Sequence, residues 1–181
     1  MLFTRVDLSN DFTKAQSALL AGFIGFTLWS RLHATVAMEF ARNHHQSLAR
    51  PDAVKFASKD PLAAETWLRE RLPFAVEVPR RAPPGYHLAG ARLCEVGGRT
   101  VGYLHYAARD RGTLSLFVGR RGEHLLAELA PVDGDDAAAV RCGECDGATV
   151  VTRSVGDVTY VGVGDLAEEP LLAFARQEGL P

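Results

Sequence analysis

An uncharged run of 16 residues, Ala15 to Ser30, constrains the fold of this chain more than any other feature. A membrane-spanning helix usually needs about 20 apolar residues, with a lower limit near 17. Sixteen residues give roughly 24 Å of helix at 1.5 Å per residue. The flanking Lys14 and Arg31 can lengthen the span, because their stems reach outward and leave the charges at the interface. The run therefore predicts a single transmembrane helix over residues 15–31.

Several residues of this predicted span favour packing against other membrane helices. Glycines permit close approach of a neighbouring helix, and an indole near a helix end prefers the headgroup level. The expected packing residues are Gly22, Phe23, Gly25, Phe26 and Trp29. Two alternatives stay open. One is a cleaved signal peptide, because the apolar region is short and small residues follow it at 33–37. The other is a buried helix of a soluble protein, because runs of this length occur in cores.

The predicted span divides the chain into four segments. Residues 1–14 form a short tail, 15–31 the transmembrane helix, 32–50 a helical stalk, and 51–181 a domain of ordinary size. The stalk is predicted because Leu32, Val36 and Phe40 recur every four residues, as an apolar stripe on a helix does. Basic residues flank both ends of the span, so charge does not set its orientation.

Turn and cap signals predict an α+β fold for the domain. Asp60 before Pro61 is typical of a helix start, and Gly97-Gly98 predicts a hairpin between two strands. A closing helix is predicted from Asp165 to Glu178. The predicted strands are 53–56, 88–96, 100–107, 113–118, 149–153 and 158–163. This order predicts a mainly antiparallel sheet packed with two helices.

Cys142-Gly-Glu-Cys145 is the sharpest local motif in the chain. A redox dithiol favours a helix N-terminus, whereas a strand-like segment follows this pair. A structural zinc site would need two more ligands, and the sequence has no second such pair. The pair therefore predicts a disulfide or free thiols in a loop, with metal binding and redox catalysis as lesser alternatives.

Histidines are the other candidates for chemistry. His44 and His45 are adjacent, and neighbouring helix positions point about 100° apart, so they do not easily chelate one metal. We expect both on the polar surface of the stalk. His105 alternates with Tyr103 in a predicted strand, whose one face is expected to be polar. The sequence predicts no catalytic, cofactor or metal site, and it predicts a protein that is not an enzyme. A net charge of −2 gives no footprint for nucleic acid.

Three blocks of the domain carry a resemblance to a known family. They are residues 50–79 (RPDAVKFASKDPLAAETWLRERLPFAVEVP), 85–118 (GYHLAGARLCEVGGRTVGYLHYAARDRGTLSLFV) and 156–176 (GDVTYVGVGDLAEEPLLAFAR). In that order they resemble the extracytoplasmic domain of bacterial single-pass transmembrane anti-sigma factors. The resemblance implies a cytoplasmic N-terminus and a periplasmic domain in the bacterial inner membrane. Members of that family carry a sigma-binding module before the span, and the 14 residues here are too few to form one.

The expected function is therefore that of a non-catalytic, membrane-anchored accessory or structural subunit of a larger membrane complex. Its periplasmic domain would bind protein partners, and respiratory or photosynthetic complexes are candidate hosts. The expected partners are integral membrane proteins and the lipid bilayer, with no nucleic acid. The alternative is a truncated regulator of envelope signalling that resembles an anti-sigma factor.

Overall fold

The computed structural model describes residues 36–50, 54–109, 112–121, 130–131, 140–165 and 168–176. Three helices lie in these ranges: α1 over residues 36–48, α2 over Pro61–Arg69 and α3 over Glu168–Arg176. The strands are β1 Phe56–Ala57, β2 Tyr86–Val96, β3 Arg99–Ala108, β4 Thr113–Arg120, β5 Ala130–Pro131, β6 Val140–Cys145, β7 Ala148–Val155 and β8 Val158–Gly164.

The strands form one antiparallel sheet in the order β1-β2-β3-β4-β8-β7-β6-β5. Two local meanders meet at its centre, where β4 pairs with β8 from Leu114↔Gly164 to Arg120↔Val158. The hairpin predicted at Gly97-Gly98 is confirmed: both glycines have positive φ, 59° and 70°, as a type I′ turn requires. The predicted α+β class and the antiparallel sheet are thus confirmed.

The first half of the sheet is tied to α2. Asp60 caps this helix as predicted, because its Oδ1 accepts the Leu62 N–H at 2.9 Å. Glu65 on the buried side of α2 accepts the Val78 N–H at 2.9 Å, and it pairs with Arg69 at 3.1 Å and Arg80 at 2.9 Å. These contacts fix the irregular segment that leads from α2 into β2.

Helices cover both faces of the sheet, giving three layers. Alternate residues of β3 divide between the faces, as the pleat of a strand dictates. Leu104 and Tyr106 face α2 and α3, whereas Val101 and Tyr103 face α1. Two helices were expected to pack on the sheet, and in the described part of the chain three do so.

The third of these helices, α1, lies in the segment that the sequence predicted to be a stalk. Its buried positions follow the helical period and are Ala37, Phe40, Ala41, His44 and Ser47. The described part of the segment therefore packs onto the sheet instead of standing apart from it. An apolar stripe can be buried by a membrane, by a partner or by the same protein, and here the sheet buries it.

One further difference concerns the second half of the sheet. Cys142 and Cys145, predicted to lie in a loop, lie in β6, so the loop prediction is wrong. β6 extends the sheet because its backbone pairs with β7 over six residue pairs, from Val140↔Arg153 to Cys145↔Ala148. The tight turn predicted between the last two strands is confirmed, with Gly156 at φ 55°.

The predicted membrane span lies outside the part of the chain that the structure describes. This holds for the tail 1–14 and for residues 15–31, including the expected packing positions Gly22, Phe23, Gly25, Phe26 and Trp29. Among the described residues, no helix has the length and apolar character needed to cross a membrane.

Candidate functional site

A chain of hydrogen-bonded polar side chains crosses the layer between α1 and the sheet. His44 Nδ1 lies 2.8 Å from Ser115 Oγ, and Ser115 Oγ donates to the Tyr103 hydroxyl at 3.0 Å. The Tyr103 hydroxyl lies 2.9 Å from His105 Nδ1. His44, Ser115 and Tyr103 are fully buried, and His105 is partly exposed. We call these four residues the polar chain.

Strand register and helical period bring the four residues together. Ser115 on β4 lies directly opposite His105 on β3, and Phe117 lies opposite Tyr103. These four strand residues therefore all point to the face of the sheet that α1 covers. His44 follows Phe40 by one turn of α1, so it enters the same face beside the aromatic pair of Phe40 and Phe117.

The direction of the hydrogen bond from Ser115 to Tyr103 sets the tautomer of His44. Because Ser115 gives its only proton to Tyr103, His44 Nδ1 must be the donor to Ser115. The Tyr103 hydroxyl then has its own proton to donate, and His105 Nδ1, 2.9 Å away, can accept it. His44 Nε2 then carries no proton, and it is buried without a hydrogen-bond partner among the described residues.

Two carboxylates and a second histidine lie at the outer end of the polar chain. Asp165 Oδ1 is 3.6 Å from His44 Nε2, which is too long for a direct hydrogen bond. The same oxygen is 3.5 Å from His45 Nε2, and Asp146 Oδ2 is 3.8 Å from His45 Nδ1. The two carboxylates are exposed and His45 is partly exposed, so water reaches this end.

Burial keeps both histidines of the polar chain neutral at pH 7. It lowers the pKa of His44 to about 4, although the nearby Asp165 carboxylate acts in the opposite direction. Burial also lowers the pKa of His105, and the charge of Arg92 adds to that effect. The pKa of Tyr103 is raised, again mainly by burial.

Arg92 on β2 closes the side of the polar chain. Its guanidinium carbon lies 4.4 Å from the centre of the Tyr103 ring, within the range of a cation–π contact. Its Nη2 donates to Ser47 Oγ at 2.8 Å, and that hydroxyl donates to the Asn43 carbonyl oxygen at 2.7 Å. Arg92 thereby joins β2, β3 and α1.

The order Asp165, His44, Ser115 has the composition of a nucleophilic triad, but the geometry differs from one. The Ser115 side chain is fully buried, and its proton goes to Tyr103 and not to His44. A nucleophile needs its proton taken by the base and needs access to the substrate. The arrangement instead holds α1 on the sheet through hydrogen bonds to β3 and β4.

One sequence prediction for this region is wrong. His44 was expected on a polar stalk surface, but it is fully buried, because one helical turn separates it from Phe40. His45, expected on the same surface, is partly exposed. Ser115 and Arg92 were not singled out by the sequence. Two features of the sequence could have indicated this site. One is the hydroxyl of Ser115 within the apolar run of β4, and the other is the continuation of the four-residue spacing from Phe40 to His44.

The cysteine motif lies at the far end of β6. Cys145 is a partly buried free thiol whose pKa is raised, mainly by burial, and the side chain of Cys142 lies outside the described part. Three residues of strand span about 10 Å, more than the Cα separation of a disulfide. The disulfide stays a prediction, and it would require the end of β6 to leave its extended conformation. Over the described ranges, no group of three or more His, Cys, Asp or Glu residues is placed to hold a metal ion.

Comparisons with known proteins identify no relative of this chain. No family model matches the chain, and neither a curated protein nor a solved structure matches it.

Proposed function

We propose that the protein is a non-catalytic, membrane-anchored accessory subunit whose folded domain binds other proteins at the membrane surface. The observation that supports this is the packing of α1. The helix is already docked on the sheet near residue 37, about six positions after the predicted span ends at Arg31. Six residues cover at most about 22 Å even when fully extended. A domain on so short a tether stays beside the bilayer, where membrane proteins are its nearest partners.

The chemistry of the polar chain agrees with a binding role. Its side chains spend their hydrogen bonds on one another, and they lie between α1 and the sheet. A cavity between α3 and the sheet, lined by residues such as Leu171 and Phe174, has room for only about one water molecule. Small-molecule sites are usually far larger. These features favour a surface that binds proteins.

The proposal includes a location and a set of partners. We place the chain in the bacterial inner membrane with its N-terminus in the cytoplasm and its domain in the periplasm, as the resemblance to anti-sigma factors implies. Integral membrane proteins, including those of respiratory or photosynthetic complexes, would contact residues 15–31 and the domain. Gly22 and Gly25 would admit a neighbouring helix.

Purification of the tagged full-length chain in a mild detergent tests the proposal. We expect integral membrane proteins to copurify in fixed stoichiometry. The double variant Gly22→Leu, Gly25→Leu should lose partners held through the span, whereas Met38→Ala on the exposed side of α1 should retain them. Release of the uncleaved chain by alkaline carbonate, or recovery of no membrane partner, would contradict the proposal.

A signalling regulator is the second candidate. It is favoured by the polar contacts of Glu39, His44 and Ser47, which join α1 to the sheet. A force on the segment before α1 would act on all three contacts. Glu39 Oε2 accepts the Gly97 N–H at 2.6 Å, and Ser47 accepts from Arg92. Recovery of a sigma factor or a protease alone, in the same purification, would select this candidate over the accessory subunit.

A further inference from the structure

The polar chain can carry its protons in two arrangements. In the one described above, each proton points from His44 toward His105. When His44 Nε2 takes up a proton, its Nδ1 proton can pass to Ser115, the Ser115 proton to Tyr103, and the Tyr103 proton to His105 Nδ1. Each hydroxyl again has one O–H bond, and the positive charge has moved from His44 to His105. The polar chain can therefore accept one proton at His44, and the resulting charge can lie on either His44 or His105.

Charged and titratable groups face both ends of the polar chain. At the outer end, Asp165 after β8 favours an added proton on His44, and His45 on α1 opposes it. At the inner end, Arg92 and His87 on β2 oppose a proton on His105. Three groups (His45, Arg92 and His87) therefore oppose an added positive charge on the polar chain, and one carboxylate, Asp165, favours it.

The surroundings of the polar chain are otherwise apolar. Phe40, Phe117, Val161 and Val163 belong to the cluster that α1 covers, and each is at most 2 % exposed. A charge in such a layer is costly unless it is paired and hydrogen-bonded. When α1 leaves the sheet, His44 meets water and takes up its proton at an ordinary pKa near 6.5. Acid therefore favours the state in which α1 is detached.

We propose that the polar chain is an acid-sensitive latch in which uptake of one proton releases α1 from the sheet. The latch depends only on the contacts of the described residues, so it stands or falls separately from the proposed function. Because α1 begins five positions after the last residue of the predicted span, its release would lengthen the tether between the domain and that span.

Cys94 provides a direct readout of the latch. It lies in the cluster beneath α1, is 8 % exposed, and has its thiol pKa raised to about 11, chiefly by burial. In the full-length chain with Cys142→Ser and Cys145→Ser, its reaction with a dipyridyl disulfide reports the opening of α1. Rates are divided by those of the urea-unfolded chain at the same pH, which removes the intrinsic pH dependence of the thiol.

The expected result follows from linkage between proton uptake and opening. For one proton whose pKa moves from about 6.5 to about 4, the opening equilibrium rises on the order of 50-fold between pH 7 and pH 4.5. The corrected Cys94 rate should rise by that order. A corrected rate that stays constant over this range overturns the proposal.

Matched variants on α1 separate the latch from general acid unfolding. His44→Gln keeps an N–H for Ser115 but does not titrate, so its corrected Cys94 rate should rise far less with acid. His45→Gln changes the partly exposed neighbour, and its corrected Cys94 rate should rise with acid as in the parent chain. An undiminished rise in His44→Gln overturns the proposal.

Nitrogen-15 spectra of the histidines in the unaltered chain give a second test, which applies even where His44→Gln does not fold at pH 7. His44 should carry its proton on Nδ1 at neutral pH and should titrate below pH 5.5. A proton on Nε2 at neutral pH, or a midpoint near 6.5, contradicts the latch.

Discussion

Replacing Phe40 by Ala measures how much of the domain's stability depends on α1. Phe40 is 1 % exposed, and its ring meets that of Phe117 edge to face at 4.9 Å between centroids. Truncation of a buried Phe to Ala costs about 3–5 kcal/mol. Domains of this size are stable by about 5–15 kcal/mol, so the loss would be a large fraction of the total. The expected change is a fall of about 3–5 kcal/mol in the free energy of unfolding.

Urea unfolding of the full-length chain in detergent, followed by circular dichroism of the sheet, gives this free energy. Met38→Ala is the matched control, because Met38 lies on the same helix but is 40 % exposed, and it should stay within about 0.5 kcal/mol of the parent. A double-mutant cycle with Phe117→Ala should give a coupling of about 0.5–1.5 kcal/mol from the ring pair.

A loss below about 1 kcal/mol for Phe40→Ala would refute this reasoning. It would mean that α1 unfolds independently of the sheet and behaves as the stalk that the sequence predicted. A loss equal to that of Met38→Ala would lead to the same conclusion.

Three further predictions follow from single contacts. Glu65→Gln leaves two arginines without their buried carboxylate, and it should cost about 1.5–3 kcal/mol in urea unfolding. Gly90→Ala should detach β1, because an added Cβ would collide with the Phe56 carbonyl oxygen. The Lys55 N–H donates to the Ala91 carbonyl oxygen, so its hydrogen exchange should become faster in this variant. Stability should be full above pH 6.5 and fall as pH drops toward 4, by at most about 3 kcal/mol from His44, because the unfolded chain takes up its proton first. Urea midpoints that stay constant from pH 7 to 4.5 would contradict this last expectation.

Local chemistry made two hairpin turns and the start of one helix predictable. Gly97-Gly98 and Gly156 give the backbone the positive φ that tight hairpins need, and Asp60-Pro61 starts α2 as its residue types require. β6 escaped prediction because Gly143 and Glu144 interrupt its strand signal, and its extended form depends on pairing with β7 on one side and β5 on the other.

The candidate site was harder to predict than the fold. An apolar stripe on a helix shows that one side is covered, but it does not say by what. The sequence therefore left α1 free to face lipid, a partner or the sheet. Once α1 lies on the sheet, the burial of His44 and its contact with Ser115, 71 positions away, follow from helical period and strand register.

The junction of β4 and β8 has a consequence for how the domain assembles. On either side of it, neighbouring strands are consecutive in the chain, so each half can form through short-range contacts. The pairing of Leu114 with Gly164 instead closes a loop of some fifty residues, which costs entropy before any contact repays it. We expect folding to wait on this closure. Substitutions at Phe117 or Val161, on the two central strands, would then slow folding, and those at the outer strands would mainly hasten unfolding.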